Sequence, residues 1–366
     1  MLKKFLSYAT AIFAVAVLLM PKAGAAGVGN LSAHSAILLD GMTGRVLYEK
    51  NAHEKSLIAS TTKIMTGLLI SQQCNPDSGV LIRKEAVGIE GSSLYLKEGE
   101  QLTVKELLYG LMLHSGNDAA VALALFCDGS VESFVGRMNE KAKSLGLTAT
   151  HFANPHGLDS EENYSTAYDL AKLTAYALQN DIFRTVCATK QISIPGRTLT
   201  NHNKLLWRYP GAVGVKTGYT KAAGRILVSA AERNGRQLIA VTINAPKDWA
   251  DHEKLLDYGF EAFTSTRVFQ DGELVATLPI LSGKQETVDV IVPDSFSCPL
   301  GQGESLVIRL HLPRFVYAPV EKGTLAGYAE VLTDGHSLAK IPLYFKDSVD
   351  PQHSKKGVKF RILPGG

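Results

Sequence analysis

Two turn signals, one at each end of a long helical stretch, constrain this fold more than any other feature of the sequence. Near the start, Ile37-Leu38-Leu39 and Val46-Leu47-Tyr48 flank Asp40-Gly41-Met42-Thr43-Gly44, the pattern of a hairpin. Far downstream, segments 226–231 and 237–243 flank Asn234-Gly235, a dipeptide suited to a tight hairpin turn because both positions tolerate positive φ. Between them, residues 60–185 read as mainly helical. Ile64, Met65, Leu68 and Leu69 fall on one face of a helix starting near Ser60. Thr103 and Glu106 form a capping box ahead of Leu107, Leu108, Leu111 and Met112. Further helices are expected over Ala119 to Phe126 and Ala167 to Gln179, and a strand over Val213 to Thr217. A sheet fed by hairpins from both ends of a helical region is antiparallel, so the fold class is α+β and not a doubly wound parallel sheet.

Near residue 271 the texture changes. Short alternating runs at Thr287 to Val292, Ser305 to Leu312 and Leu325 to Leu332 are separated by Pro293, Gly301-Gln302-Gly303, Gly323 and Asp334-Gly335. The expected layout is a domain over 26–270 followed by a small all-β domain over 271–366. Apolar residues make up 45% and charged residues 20%, enough for a sizeable core and incompatible with wholesale disorder.

The first 25 residues have their own logic. Lys3-Lys4 precede an apolar run from Phe5 to Met20, and Ala23-Gly24-Ala25 supplies small residues, the order of a cleaved secretory signal. The chain is therefore expected to be exported, acting on the cell-wall side of the cytoplasmic membrane. The net charge of +3 sits in this segment, which leaves 35 basic against 35 acidic residues in the rest. A neutral body lacks the clustered cations that release counterions, so nucleic acid is excluded as a partner. Cys74, Cys127, Cys187 and Cys298 have no metal or redox spacing and read as buried free thiols.

Three short motifs carry chemistry. In Ser60-Thr61-Thr62-Lys63 the spacing of three is nearly one helical turn, which puts hydroxyl and amine on one face. A desolvated Lys63 near a second cation can give up its proton and act as a base. Ser337-Leu338-Ala339-Lys340 matches the same pattern in the β-rich tail, where an ordinary solvated pair is expected. Ser115-Gly116-Asn117 lies between two helices. It reads either as a proton relay beside an amide, or as a turn whose Asn or Asp caps the next helix. Lys216-Thr217-Gly218 sits on a strand, where an ammonium and a hydroxyl can hold a carboxylate and Gly218 allows close approach. His151 and His156 lack a carboxylate–histidine arrangement of ligand spacing and read as structural loop residues, so no metal is expected.

The order of these motifs on helix, inter-helix loop and strand is that of penicillin-binding proteins and class A β-lactamases. The chain resembles the low-molecular-weight penicillin-binding proteins that act as D-alanyl-D-alanine carboxypeptidases, serine peptidase family S11. The likeness includes Ala59 to Thr66, Phe152 to Leu158, Tyr164 to Leu170, Gly214 to Thr220 and Ala223-Gly224-Arg225, and runs over about residues 33–265. It implies that Ser60 attacks the penultimate D-alanine carbonyl of a peptidoglycan stem peptide, with Lys63 as base and Ser115 as relay to the leaving D-alanine. It further implies that Asn117 orients the substrate, that Lys216, Thr217 and Gly218 receive the terminal carboxylate, and that the N–H groups of Ser60 and Tyr219 form the oxyanion hole. No cofactor is implied, and β-lactam antibiotics are expected to acylate Ser60. The resemblance leaves open a substrate-side role for His202, where family members often carry a basic residue.

A serine β-lactamase and a D,D-endopeptidase use the same groups, and a non-catalytic wall-binding scaffold is the alternative from another class. Glu161-Glu162-Asn163 lacks the Glu-x-x-Leu-Asn pattern of a deacylating lactamase loop. Many relatives end in a membrane-lying amphipathic helix. Here Lys355 to Gly366 holds four basic residues with Phe360, Ile362 and Leu363, but Gly357 and Pro364 leave only about one and a half turns. A final strand with at most weak peripheral membrane contact is expected.

Overall fold

The computed structural model describes residues 27–352. The expected export signal over 1–25 and the basic tail from Lys355 onward lie outside the described residues. The chain forms two compact units, one ending at Phe263 and one beginning at Thr264.

The first unit is organised by a five-stranded sheet. Its strands are β1 (Ser35–Asp40), β2 (Val46–Lys50), β3 (Ala212–Thr220), β4 (Gly224–Arg233) and β5 (Arg236–Ile243). The order is β2-β1-β5-β4-β3, and every neighbouring pair is antiparallel. Both hairpins read from the sequence are present, and β1 pairs with β5 so that Ile37 faces Val241 and Leu38 faces Ala240. The α+β expectation holds: N-terminal and later strands share one antiparallel sheet, and the helices lie between them in sequence.

Side chains alternate across the pleat, and each face has its own core. Ile37, Leu39, Ile226, Val228, Ile239 and Val241 pack against the inserted helices. Ala36, Leu38, Leu227, Leu238 and Ala240 pack on the opposite face with Leu255 and Leu256. A strand buried on both faces gains nothing from polar residues at alternate positions, which is why Ala36 to Leu39 within β1 read as an unbroken apolar run.

The inserted helices are α1 (Lys63–Gln73), α2 (Val104–Leu113), α3 (Asn117–Asp128), α4 (Val131–Ser144), α5 (Ala167–Ala177) and α6 (Asp181–Ala188). After them come α7 (Leu205–Arg208) and, beyond β5, α8 (Asp248–Ala262). The capping box of Thr103 and Glu106 starts α2 with both reciprocal bonds. The helical expectation fails over residues 145–163, which form a loop with one isolated bridge at His151. Side-chain amides take over the work of a ladder there: Asn139 donates to Phe152 O at 2.9 Å and accepts from its N–H at 2.9 Å.

In the second unit a six-stranded sheet takes its strands in the order Leu306–His311, Leu325–Thr333, His336–Phe345, Thr287–Ile291, Leu274–Leu281, Val316–Tyr317. Val290, Ala329, Val331 and Leu343 lie at its core. Ser337 and Lys340 are exposed on strand His336–Phe345, as expected of an accidental match. The cysteines divide: Cys187 and Cys298 are buried, but Cys74 and Cys127 are only partly so, which corrects the reading of all four as buried.

His252 of α8 is sealed against the sheet. Its Nδ1 lies 2.5 Å from Ser229 Oγ and its Nε2 2.9 Å from Thr242 Oγ1. Burial pushes its pKa down to about 3. The unfolded chain then binds a proton near pH 6.5 that the folded chain refuses until about pH 3. Stability from this site is full above about pH 6.5 and drains away as the pH falls toward 3. Urea titrations from pH 7.5 to 4.5 should show a steady loss, and the His252→Gln variant, which keeps both hydroxyl partners, should show a shallower one.

Candidate active site

Ser60 lies in a 3₁₀ turn, Ala59–Thr62, that runs directly into α1. The turn is held by Thr61, whose N–H and Oγ1 both donate to Ile58 O at 3.1 and 2.5 Å. Ala59 has φ 45°, a left-handed conformation costly for a residue with a Cβ. It swings the chain so that Ser60 faces outward while Lys63 points inward.

Lys63 is fully buried. Its Nζ is 3.0 Å from Ser60 Oγ, 2.7 Å from Asn117 Oδ1 and 2.5 Å from the His156 carbonyl oxygen. Desolvation holds the ammonium pKa well below the usual lysine range, the charge of Lys216 adds to this, and Asp118 opposes it. The neutral amine has two N–H donors and one lone pair. The His156 carbonyl can only accept. The Asn117 oxygen is likewise an acceptor, because Asn117 Nδ2 donates to Glu90 O at 2.5 Å and so fixes the amide orientation. Both donors are thereby taken, and the lone pair is left facing the Ser60 hydroxyl.

Ser115 and Asn117 come from the α2–α3 connection, where Ser115 adopts φ 64°. The capping reading of this motif does not hold. Gly116 occupies the cap position without a side-chain bond, and from inside the first turn Asp118 Oδ1 accepts from the Ala119 N–H at 2.9 Å. Asp118 is buried and accepts from Ser93 Oγ at 2.6 Å and from the N–H groups of Leu94 and Leu96 at 3.0 and 3.1 Å. It thus pins the loop that carries Ser92 to the site.

Strand β3, at the sheet edge, supplies Lys216, Thr217, Gly218 and Tyr219. A Cβ on Gly218 would lie 3.3 Å from Ile58 O and 3.4 Å from Ser60 N, so glycine lets the strand press against the serine turn. Lys216 is buried, its Nζ donating to Thr217 O at 2.8 Å, and burial brings its pKa down to about 7.

Ser60, Ser115, Thr217, Gly218, Tyr219 and His202 line one cavity of about 640 Å³, which continues to Trp207 and Trp249. Lys63, Asn117 and Lys216 are buried behind its wall. His202 is held neutral, its pKa pushed down to about 4 by partial enclosure and then by Lys216 and His114. Glu161 and Glu162 are exposed and do not line the cavity. His151 Nδ1 bonds to Glu162 O at 2.6 Å, and the His156 ring accepts from Leu158 N at 3.2 Å, so neither ring reaches Lys63. What the motifs missed is the His156 main chain, along with Asp118 and Ser92.

A family model described as D-alanyl-D-alanine carboxypeptidase matches residues 22–247, and one described as the C-terminal domain of penicillin-binding protein 5 matches residues 263–351. The chain belongs to the D-alanyl-D-alanine carboxypeptidase family. It is 36% identical to the D-alanyl-D-alanine carboxypeptidase DacF of Bacillus subtilis over 87% of this chain and 86% of that one. With DacC of Escherichia coli it shares 35% identity over 88% and 85% of the two chains. The crystal structure of penicillin-binding protein 5 from Haemophilus influenzae superposes with a TM-score of 0.78 at 28% identity, covering 88% of this chain and 98% of that one.

Within this family site, the lowered pKa of Lys63 depends on what Asn117 offers it. In Asn117→Asp a carboxylate would replace the amide oxygen and hold the proton on Lys63. Acylation by a fluorescent penicillin at pH 7 should fall at least about tenfold, and its pH profile should shift to higher pH.

Proposed function

We propose that the chain removes the terminal D-alanine from peptidoglycan stem pentapeptides through an acyl-enzyme on Ser60. The observation that carries this reading is the Lys63 amine, 3.0 Å from Ser60 Oγ with its other two contacts on acceptors. Lys63 takes the hydroxyl proton as Ser60 Oγ attacks the penultimate carbonyl carbon. The oxyanion that forms is held by the N–H groups of Ser60 and Tyr219. Ser115 passes a proton to the amine of the departing D-alanine, and the C–N bond breaks. Lys63 returns its proton to Ser115 and is neutral again; water then adds to the ester, Lys63 takes the water proton, and Ser60 Oγ leaves with that proton. Thr217 and Lys216 receive the terminal carboxylate, and Asn117 orients the peptide. A β-lactam carries the same carbonyl and carboxylate in a strained ring and enters the same path, but its leaving group stays tethered.

A β-lactamase reading finds less support. The one carboxylate on the cavity wall, Asp248, is tied to Arg225 at 2.8 Å and is not available to activate a deacylating water. Intact catalytic groups likewise weigh against a non-catalytic scaffold. The family acts on the cell wall, outside the cytoplasm, and residues 1–25 are proposed to direct export and be cleaved near Ala25. Amino-terminal sequencing of the mature protein tests this, and fractionation tests the proposed weak membrane contact of the tail.

Mass spectrometry of a muropeptide pentapeptide should show loss of one alanine, with slow penicillin turnover. Ser60→Ala should abolish fluorescent-penicillin labelling and lower D-alanine release at least about a thousandfold. Equal labelling of the variant would overturn the assignment. In Lys216→Ala the preference for a free over an amidated terminus should shrink by about tenfold or more, the worth of a charge-assisted hydrogen bond.

A further inference from the structure

Helices α1 and α3 run side by side with their N-terminal ends together. There Lys63 Nζ meets Asn117 Oδ1 at 2.7 Å, and at the far ends Cys127 Sγ donates to Gln73 Oε1 at 3.6 Å. Cys74 follows Gln73 as the terminal residue of α1. Its backbone is already extended (φ −108°, ψ 138°), and its N–H closes the helix on Ile70 O at 3.0 Å. Cys74 and Cys127 are thus neighbours at this end of the helix pair, and Asp128, the residue after Cys127, acts on both thiols. Both side chains pack at the margin of the helical core and are partly exposed, so reagents can reach them. Arg137 pairs with Asp128 at 2.6 Å and also bonds to Gln73, which places a cation beside the two sulfurs.

We propose that Cys74 and Cys127 are a redox pair that closes to a disulfide outside the cytoplasm. The bond would lock the far ends of the two helices whose near ends hold Lys63 and Asn117. Thiols that neighbour each other at the ends of two paired helices reach the S–S distance of about 2.0 Å by side-chain rotation, and Cys74 sits in extended backbone just past the helix end. The hydrogen bond from Cys127 lowers the Cys74 pKa, Arg137 contributes in the same direction, and the Cys127 thiol is pushed up, so Cys74 is the attacking sulfur. The oxidant is a disulfide, protein-borne or small. The Cys74 thiolate attacks one of its sulfurs, the donor S–S bond breaks, and one donor thiolate leaves. Cys127 loses its proton and attacks the Cys74 sulfur of the mixed disulfide, expelling the second donor thiolate. Two electrons pass to the donor, and its two sulfurs take up the two protons.

The test uses the full mature chain equilibrated with oxidised or reduced glutathione, then alkylated and digested. Oxidation should protect Cys74 and Cys127 together, yield a peptide linking them, and raise Tm by about 4 °C or more through the loop it closes. Cys74→Ser and Cys127→Ala should each abolish the rise while still labelling with fluorescent penicillin. Full alkylation of both thiols after oxidation, glutathione adducts without an internal link, or a link to another cysteine would each overturn the proposal.

Discussion

A buried lysine whose hydrogen-bond contacts are Ser60, Asn117 and the His156 carbonyl, none of them an acid, is the constraint from which the rest of this site follows. Burying an ammonium without a counter-ion costs several kcal/mol, and a lysine in that position escapes the cost by giving up its proton. Lys63 is fully buried, burial and the charge of Lys216 outweigh the opposing Asp118 carboxylate, and its two acceptor partners convert loss of charge into direction. An amine that merely became neutral could turn its lone pair anywhere. Here the carbonyl of His156 and the amide of Asn117 occupy both N–H groups, so the remaining electron pair faces Ser60.

Those partners must in turn be held by elements that have no other reason to meet. The His156 carbonyl is placed by a loop fastened from inside: Thr66 Oγ1 donates to Pro155 O at 2.6 Å, and Asn154 Oδ1 accepts from Gly157 N at 2.6 Å. Gly157 has φ +90°, and a Cβ there would stand 2.0 Å from Ala59 O, so the loop lies directly on the serine turn. Strained backbone appears on both sides of the nucleophile, at Ala59 and Ser115. Each such residue costs of order 1–3 kcal/mol, which the dense packing of the surrounding helices offsets. At these two positions the strain lies where Ser60, Ser115 and the edge of β3 must converge on one cavity.

This pattern explains which parts of the protein were legible in its sequence. Hairpins and helices were, because the Asn234-Gly235 turn, the Thr103–Glu106 box and the apolar periodicities are local and use side chains. Residues whose side chains do the chemistry were equally visible: Ser60 and Lys63 by spacing, Lys216 and Thr217 by order. The loop over 145–163 was not, because its order comes from amides of distant residues such as Asn139. The third ligand of Lys63 was hidden for a deeper reason. A backbone carbonyl is offered by every residue type, so nothing in the identity of His156 announces it. Asp118 was half legible: a carboxylate at the start of a helix ordinarily serves the free N–H groups there, and this one does so at Ala119, but it also holds Ser93, Leu94 and Leu96.

One buried lysine also acts on the other. Lys216, with its pKa brought down to about 7, carries the positive charge that helps keep Lys63 deprotonated. Two ammonium groups in one desolvated site is the costliest of the available states, and the charge of Lys216 accordingly adds to the lowering of the Lys63 pKa. A substrate carboxylate held by Thr217 and Lys216, as proposed, would stabilise the charge on Lys216 and partly cancel its field at Lys63. The amine would then accept the Ser60 proton more readily, at the moment when the scissile carbonyl is in place. With water or an amidated terminus in the cavity, that field persists and Lys63 remains a poorer base. A preference for a free carboxyl terminus would then act on the chemical step as well as on binding.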